Sequence, residues 1–203
     1  MKTFSQVAVL LVGLTSVAAA QTKPEPKPPT AKPAEPKPAE PKPAGGAAEM
    51  KPPAELAELA KSITGTWRCK GQGMDHTMKM IDMTATLKQK LDVASWWLHG
   101  SFESKMGKEP FAFESYTTYD PKAKKWKRIM VESGGAWNNG ESAGPVNNKV
   151  DWEFTTHSPT MGDGQFRDHE DASDPKAGVK MSGEFSPDQG KTWVKVYEMT
   201  CKK

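Results

Sequence analysis

The heptapeptide GTWRCKG, residues 65–71, alternates bulky or apolar side chains with charged ones in a way that is typical of a half-buried β-strand. Trp67 and Cys69 are two residues apart and would share one face of such a strand, while Arg68 and Lys70 would share the other. One face therefore suits a protein core and the other suits water. We take this stretch as the first strand of the sheet.

The second cysteine, Cys201, lies in another strand-like run, 193–201, close to the C-terminus. A closed barrel makes its first and last strands neighbours, and it does so without leaving a long unpaired edge. We therefore predict a disulfide between Cys69 and Cys201. Closing so long a loop contributes on the order of 4 to 5 kcal/mol in the chain-entropy model. Two free buried thiols are the less favoured alternative, because the N-terminus indicates export to a compartment where disulfides persist.

Between these two runs, short strand-like segments recur about every ten residues, with turn-forming residues between them. They are 77–91, 95–104, 111–119, 125–133, 150–156, 165–172 and 179–185. Near Met80 and Ile81 the apolar positions change from even to odd, which predicts a β-bulge. The triplet Asn138-Asn139-Gly140 predicts a turn.

One helix is predicted ahead of the strands, at 54–62, where Leu56 and Leu59 recur at helical spacing after Pro53. We expect its leucine face to pack across one end of the sheet. The predicted fold class is all-β: an antiparallel up-and-down barrel of about nine or ten strands, preceded by this short helix. A barrel of that size can enclose a small ligand.

The N-terminal quarter has a different organisation. Residues 1–20 predict a secretory signal peptide, with Lys2, an apolar run at 4–14 and a final Ala-Ala-Ala. Residues 21–53 carry eleven of the seventeen prolines in a Lys-Pro-Ala-Glu-Pro repeat, which predicts a disordered, extended spacer. This divides the chain into 1–20, 21–53 and a barrel domain at 54–203, and we expect an exported protein, periplasmic or extracellular. We favour a solubilising linker for the spacer; the alternative is a stalk through an envelope or cell-wall layer, or a weak polyelectrolyte contact to the cell envelope.

Charge excludes some classes of partner. Residues 54–203 hold equal numbers of basic and acidic side chains, so the net charge of +3 comes from the N-terminal region. Nucleic-acid binding needs a clustered positive surface, and we expect none. The apolar run at 4–14 is too short to span a bilayer, so we do not expect a membrane-spanning protein.

Several motifs are similar to those of known β-barrels. The short helix, the Gly65-x-Trp67 strand and the terminal strand resemble lipocalin-like and nitrobindin-like barrels. The segments 96–102 and 116–122, followed by Trp126, resemble more closely a bacterial family of exported or cytosolic barrels of unknown function. Nitrobindin-like barrels carry haem on a histidine of the last strand, whereas 193–201 has no histidine and places Glu198 there. The resemblance therefore implies the fold without haem, and we expect no cofactor.

Two motifs that are found in enzymes have better structural explanations. Gly140-Glu141-Ser142-Ala143-Gly144 matches the Gly-x-Ser-x-Gly pattern of hydrolases, but no helix follows to expose the serine, and we expect a glycine-rich loop. The segment 186–193, SPDQGKTW, resembles the Asp-box hairpin of sialidase-type propellers. It occurs once, with no repeat of blade length, which favours a simple hairpin turn.

The four histidines do not form a metal-ligand spacing, and we predict no metal site. In Asp168-His169-Glu170-Asp171 the alternation places Asp168 and Glu170 on one face, and we expect a solvated acidic edge there. No nucleophile with a base is evident, so we do not expect an enzyme. A pair such as Glu114 or Glu132 with a histidine could still converge inside the barrel from distant strands.

These observations favour a binding module for a small, largely apolar molecule. The predicted interior is rich in tryptophan and methionine, which suits either a filled core or an adaptable lining. We expect Trp97, His99, Tyr116 and Tyr119 to orient the ligand. The alternative is a structural or envelope-interaction module with a filled barrel, in which the spacer makes the contacts.

Overall fold

The computed structural model describes residues 51–203, in which one α-helix precedes ten antiparallel β-strands. The predicted signal peptide, 1–20, and residues 21–50 of the predicted spacer lie outside the described residues. The elements are α1 Ala54–Ile63, β1 Gly65–Met74, β2 Met80–Asp92, β3 Trp97–Met106, β4 Glu109–Asp120, β5 Lys125–Glu132, β6 Trp137–Ser142, β7 Lys149–Ser158, β8 Gly162–Asp171, β9 Val179–Ser186 and β10 Val194–Lys202.

The strands form a closed barrel in which each strand pairs with the next and β10 returns to pair with β1. This confirms the predicted all-β, up-and-down barrel with one short helix before it. Cys69 lies directly opposite Cys201 in the β1–β10 register, and a disulfide joins them with an Sγ–Sγ distance of 2.02 Å. The predicted cross-link is confirmed. It is compatible with an exported protein, since disulfides persist in oxidising compartments.

The barrel interior contains two apolar clusters of buried side chains. The first, which includes the helix, consists of Leu56, Ala60, Leu98, Trp126, Met130, Trp152 and Phe154. The second surrounds the disulfide and consists of Cys69, Met83, Ala85, Leu87, Phe102, Met199 and Cys201. On the strands that contribute to them, β1, β2, β3, β5, β7 and β10, these residues occupy the inward positions, which alternate with outward ones as the pleat of a sheet requires. Burial of these inner faces is the main force that stabilises the barrel.

Helix α1 packs in the first apolar cluster through Leu56 and Ala60, which are 0% and 4% exposed. The backbone carbonyl of Ile63, its last residue, accepts a 2.8 Å hydrogen bond from the Trp67 indole. Near the same point, Lys203 donates a 2.8 Å hydrogen bond to the carbonyl of Ser62. The two ends of the domain therefore meet beside the helix. In the described part of the chain, no helix has the length and apolarity that crossing a membrane requires.

The bulge predicted near Met80 and Ile81 is wrong. Pairing between β1 and β2 runs without interruption from Gly65↔Gln89 to Met74↔Met80. The change of phase arises because 75–79 is a turn, in which the carboxylate of Asp75 accepts hydrogen bonds from the backbone N–H groups of Thr77 and Lys79. A register shift occurs instead in β10, between Lys195 and Tyr197.

The turn predicted at Asn138-Asn139-Gly140 is also wrong, because this triplet lies inside β6. Neighbouring strands satisfy the amide of Asn138: its Oδ1 accepts from Thr156 at 2.7 Å, and its Nδ2 donates to Glu132 at 2.8 Å. Asparagine favours turns by bonding its own backbone, and here tertiary partners replace those bonds. Strand β6 is therefore the strand that the sequence analysis did not predict.

Candidate functional site

Four polar side chains meet inside the barrel, and we call Arg128, Asp168, Glu170 and Tyr197 the inner cluster. They come from β5, β8 and β10, which are distant in sequence. Each occupies an inward position of its strand: Arg128 alternates in phase with the buried Trp126 and Met130, and the other three follow the same rule. Charged groups so placed must be paired, because burying an isolated charge is costly.

Arg128 is the centre of the inner cluster. Its Nη1 donates to Oε1 of Glu170 at 2.8 Å, and its Nε donates to the hydroxyl of Thr117 at 3.0 Å. The guanidinium also lies 3.9 Å above the ring centroid of Trp152. The side chains of Arg128 and Glu170 are 13% and 24% exposed. This geometry fixes the guanidinium in one orientation, because three separate partners hold it.

Asp168 is the unusual member, because it is a second carboxylate beside one arginine. Its Oδ1 accepts a 2.5 Å hydrogen bond from the Tyr197 hydroxyl, and its Oδ2 lies 3.7 Å from Nη1 of Arg128. Burial, followed by the nearby charge of Glu170, raises the pKa of Asp168 to about 7, although Arg128 and the Tyr197 hydrogen bond act in the opposite direction. Burial, together with the charge of Asp168, likewise raises the pKa of Tyr197 well above its usual range.

A glycine gives Tyr197 the room to reach Asp168. In the sheet register Gly183 pairs with Asp168 on one side and with Tyr197 on the other. A Cβ atom at this position would lie 2.3 Å from Cε1 of Tyr197 and 2.6 Å from Cζ of Phe166. The tyrosine ring therefore crosses β9 only because residue 183 has no side chain.

Around the inner cluster the wall is partly aromatic, and its side chains are only partly buried. The Phe166 ring lies 5.7 Å from Phe154 and 6.4 Å from Tyr197, between ring centroids. Phe166, Val179, Met181 and Tyr197 occupy inward positions yet are only partly buried. The indole Nε1 of Trp152 is buried and has no hydrogen-bond partner within residues 51–203. The arrangement offers a polar anchor beside an apolar surface, a combination typical of small-molecule sites.

The four residues predicted to orient a ligand do not form one group. His99 and Tyr116 are cross-strand neighbours that stack with ring centroids 4.8 Å apart. They occupy outward positions, as does Trp97, because Leu98 between Trp97 and His99 is buried in the core. Tyr119 points inward, with its ring 5.3 Å from that of Trp126. The wall of the barrel thus separates Tyr119 from the other three, and their role in ligand binding stays a prediction.

The two carboxylates considered as catalytic partners, Glu114 and Glu132, lie on opposite faces of the barrel wall. Glu114 does contact a histidine, with Oε2 2.5 Å from Nε2 of His99, but this pair is on the outer face. Glu132 lies inside and accepts from Asn138, and its burial raises its pKa. Glu198, at the position considered for haem, faces outward and pairs with Lys195 at 2.8 Å. Among residues 51–203 no group of three histidine, cysteine or carboxylate side chains is arranged to hold a metal ion.

The prediction of a solvated acidic edge at 168–171 is wrong for Asp168 and Glu170. Asp168 and Glu170 do share one face, as predicted, but that face lines the barrel interior. His169 occupies the outer face, where its Nδ1 lies 2.6 Å from Oδ1 of Asp151. The reason is the strand register: Asp168 and Glu170 continue the phase of Phe166, which points inward.

The motifs shared with enzymes have structural roles. Ser142 belongs to β6 and is 4% exposed, and its hydroxyl accepts from the backbone N–H of Gly144. The segment therefore begins in a strand, and the expected glycine-rich loop covers only its second half. The hairpin reading of 186–193 is confirmed. The carboxylate of Asp188 accepts from Ser186 and from both the backbone N–H and the hydroxyl of Thr192.

The inner cluster was missed by the sequence analysis, although a signal for it exists. On β5, Arg128 has the phase of Trp126 and Met130, whereas Lys125 and Lys127 have the opposite phase. A charged residue in the apolar phase of a strand indicates a buried charge that needs a partner. The same test marks Asp168 and Glu170 on β8. This test could not have shown that Arg128 of β5 contacts Asp168 and Glu170 of β8, because that contact crosses the barrel interior.

Comparison with known proteins supports the fold alone. No protein-family model matches the chain, and no curated protein sequence matches it. Among solved structures it is similar to that of Rv2717c from M. tuberculosis, with a TM-score of 0.57 and 10% sequence identity. The match covers 75% of this chain and 99% of that one. At this identity the likeness shows a shared β-barrel architecture.

Proposed function

We propose that the domain is a non-catalytic binding module that holds a small, largely apolar molecule inside the barrel. The observation that carries the proposal is the partly buried inner wall, where Phe166, Val179, Met181 and Tyr197 point inward without being fully covered. Inward side chains in the middle of a filled barrel are normally covered by their neighbours, because protein interiors are close-packed. Methionine suits such a wall, since its flexible thioether adapts to ligands of different shape.

The inner cluster supplies the polar end of this site. Small-molecule sites are mostly apolar and contain a few fixed polar groups that orient the ligand. Arg128, Asp168 and Tyr197 are held in place by their mutual contacts, so they would meet a ligand without reorganising. We also propose that the protein works outside the cytoplasm, which the disulfide favours.

Native mass spectrometry of the protein purified from its own host tests this proposal. We expect a co-purified small molecule, or a mass shift after incubation with a lipid extract. The variant Met181→Trp, which adds bulk to the inner wall, should lose that mass. Lys180→Trp, one residue away on the exposed outer face, is the matched control and should keep it. Circular dichroism must show that both variants fold. Absence of any bound mass in the wild type under both conditions would refute the proposal.

A second candidate is a structural or envelope-interaction module with a filled barrel. The two buried apolar clusters favour it, because together they occupy much of the interior. It predicts that deletion of residues 21–53 changes localisation while the melting temperature stays nearly constant. Unchanged localisation of the deletion variant would exclude this candidate.

A further inference from the structure

The charge of the inner cluster restricts the polar end of a ligand. One guanidinium, Arg128, faces two carboxylates, Asp168 and Glu170, and Glu170 already takes its closest hydrogen bond at 2.8 Å. A third negative charge would add a like charge beside both carboxylates in a poorly solvated space, which is unfavourable. A carboxylate or phosphate head group therefore does not suit this site.

The site contains one unused donor and one acceptor with spare capacity. Trp152 is 2% exposed, and its Nε1 has no acceptor among the described residues. Oδ2 of Asp168 lies 3.7 Å from Nη1 of Arg128, which is an ion-pair separation longer than a hydrogen bond. The other oxygen, Oδ1, already accepts from Tyr197.

The two residues that carry these groups are neighbours on adjacent strands. Trp152 and Asp168 are directly opposite each other in the β7–β8 register, and both point into the barrel. Opposite side chains on one face of an antiparallel pair lie within about 4.5 to 5.5 Å at Cβ. A buried indole N–H without an acceptor is costly, and such groups are normally paired with protein, water or ligand. The structure thus places a side chain with an unpaired donor and a side chain with spare acceptor capacity at paired inward positions, next to a partly covered apolar wall.

We propose that the polar end of the bound molecule is a hydroxyl group, which accepts a hydrogen bond from Nε1 of Trp152 and donates one to the carboxylate of Asp168. This inference rests on the proposed function and adds the chemical class of the ligand: an apolar alcohol. A hydroxyl both donates and accepts, so one group satisfies both partners. A protonated amine can donate to Asp168 but offers no acceptor to Trp152. A carboxylate can accept from Trp152 but has no hydrogen to donate to Asp168.

Three probes with alkyl chains of the same length and different head groups test this inference: 1-octanol, octylamine and octanoate. They are titrated against the protein at about pH 8.5, above the pKa of about 7 that burial gives Asp168, so that this group is a carboxylate. Tryptophan fluorescence is the readout, and native mass spectrometry checks the stoichiometry. We expect one molecule of 1-octanol per chain, bound at least about tenfold more tightly than octanoate and more tightly than octylamine. A tenfold difference corresponds to about 1.4 kcal/mol, which is the size of the net contribution of a single hydrogen bond.

Variants assign the contacts. Trp152→Phe keeps an aromatic ring but removes the N–H, and it should weaken 1-octanol about tenfold. Trp137→Phe, the same change at an exposed tryptophan on the outer face, is the matched control and should leave the affinity unchanged. Asp168→Asn should also weaken 1-octanol, since it replaces a charged acceptor by a neutral one, and it carries the test if Trp152→Phe does not fold.

The outcomes separate this inference from the proposed function. Tighter binding of octanoate or octylamine, or wild-type affinity for 1-octanol in both Trp152→Phe and Asp168→Asn, would overturn the hydroxyl assignment and leave a binding module in place. If none of the three probes binds and the protein from its host carries no small molecule, both proposals fail.

Discussion

At the scale of single residues, Gly183 determines whether Tyr197 reaches Asp168. Gly183→Ala would place a Cβ within 2.3 Å of the tyrosine ring, so the ring or the strand must move. Overpacking of this kind costs about 1 to 3 kcal/mol. We expect a loss of that size in the free energy of unfolding, measured with urea. Gly134→Ala is the control, since its Cβ would meet nothing within 4 Å, and it should be close to neutral. Equal stability of the two variants would show that Tyr197 does not cross residue 183.

The buried carboxyl of Asp168 should give the protein a pH dependence of its own. Its pKa of about 7 in the fold lies above the ordinary value of 3.8, so the folded state holds this proton more tightly than the unfolded chain. The contribution of Asp168 to the free energy of unfolding is fully present below about pH 4 and is lost as the pH rises through about 7.

Comparison with Asp168→Asn isolates that contribution from the other groups. We expect the wild type to lose roughly 1 to 4 kcal/mol relative to the variant between pH 4 and pH 8, because the pKa of Asp168 is about 7 in the fold and 3.8 in its ordinary state. Urea unfolding at several pH values measures it. Parallel curves for the two proteins would show that Asp168 titrates normally.

At the scale of elements, the disulfide joins the first strand to the last. Cys69 and Cys201 are 132 residues apart, so their cross-link removes much of the freedom of the unfolded chain. We expect Cys69→Ala with Cys201→Ala to lower the free energy of unfolding by about 2 to 5 kcal/mol. The barrel should still close, because β1 and β10 also pair through their backbones.

Chemical reduction provides the matched comparison. A reducing agent should lower the melting temperature of the wild type towards that of the double variant and leave the double variant unchanged. No effect on the wild type would contradict a stabilising role for the disulfide.

Most strands could be predicted because alternation of apolar and polar side chains is a local signal. Strands β1, β5 and β9 begin where the sequence analysis placed them, and α1 begins at the predicted residue. Strand β6 could not be recognised, since the turn preference of Asn138 and Asn139 is local whereas the partners of Asn138, Glu132 and Thr156, come from neighbouring strands. The bulge was inferred from a phase change that in fact marks the turn at Asp75.

The candidate site was less predictable than the fold for a similar reason. The aromatic residues His99 and Tyr116 were prominent in the sequence, yet their strand phase places them on the outer face. The inner cluster combines Arg128 with Asp168 and Glu170, which are about 40 residues further along the chain. Alternation shows which side chains point inward, but it does not show which inward side chains meet across the barrel.

At the scale of the whole molecule, a barrel closed by its terminal strands separates an inner surface from an outer one. The inner surface combines two packed apolar clusters with a polar cluster and a partly covered wall. A structural core needs neither an unpaired indole N–H nor a second carboxylate beside one arginine. Together with the partly covered wall, these features support the proposal that the interior binds a ligand.

The most direct test of this account is a crystal structure of the domain, residues 51–203, determined under xenon pressure. Xenon enters apolar cavities that are large enough to hold it. If the barrel holds space for a ligand, a xenon atom should lie inside it, against Phe166, Met181 and Tyr197, and should be absent from Met181→Trp. An interior without xenon, with those three side chains packed against one another, would contradict the claim that the barrel holds space for a ligand.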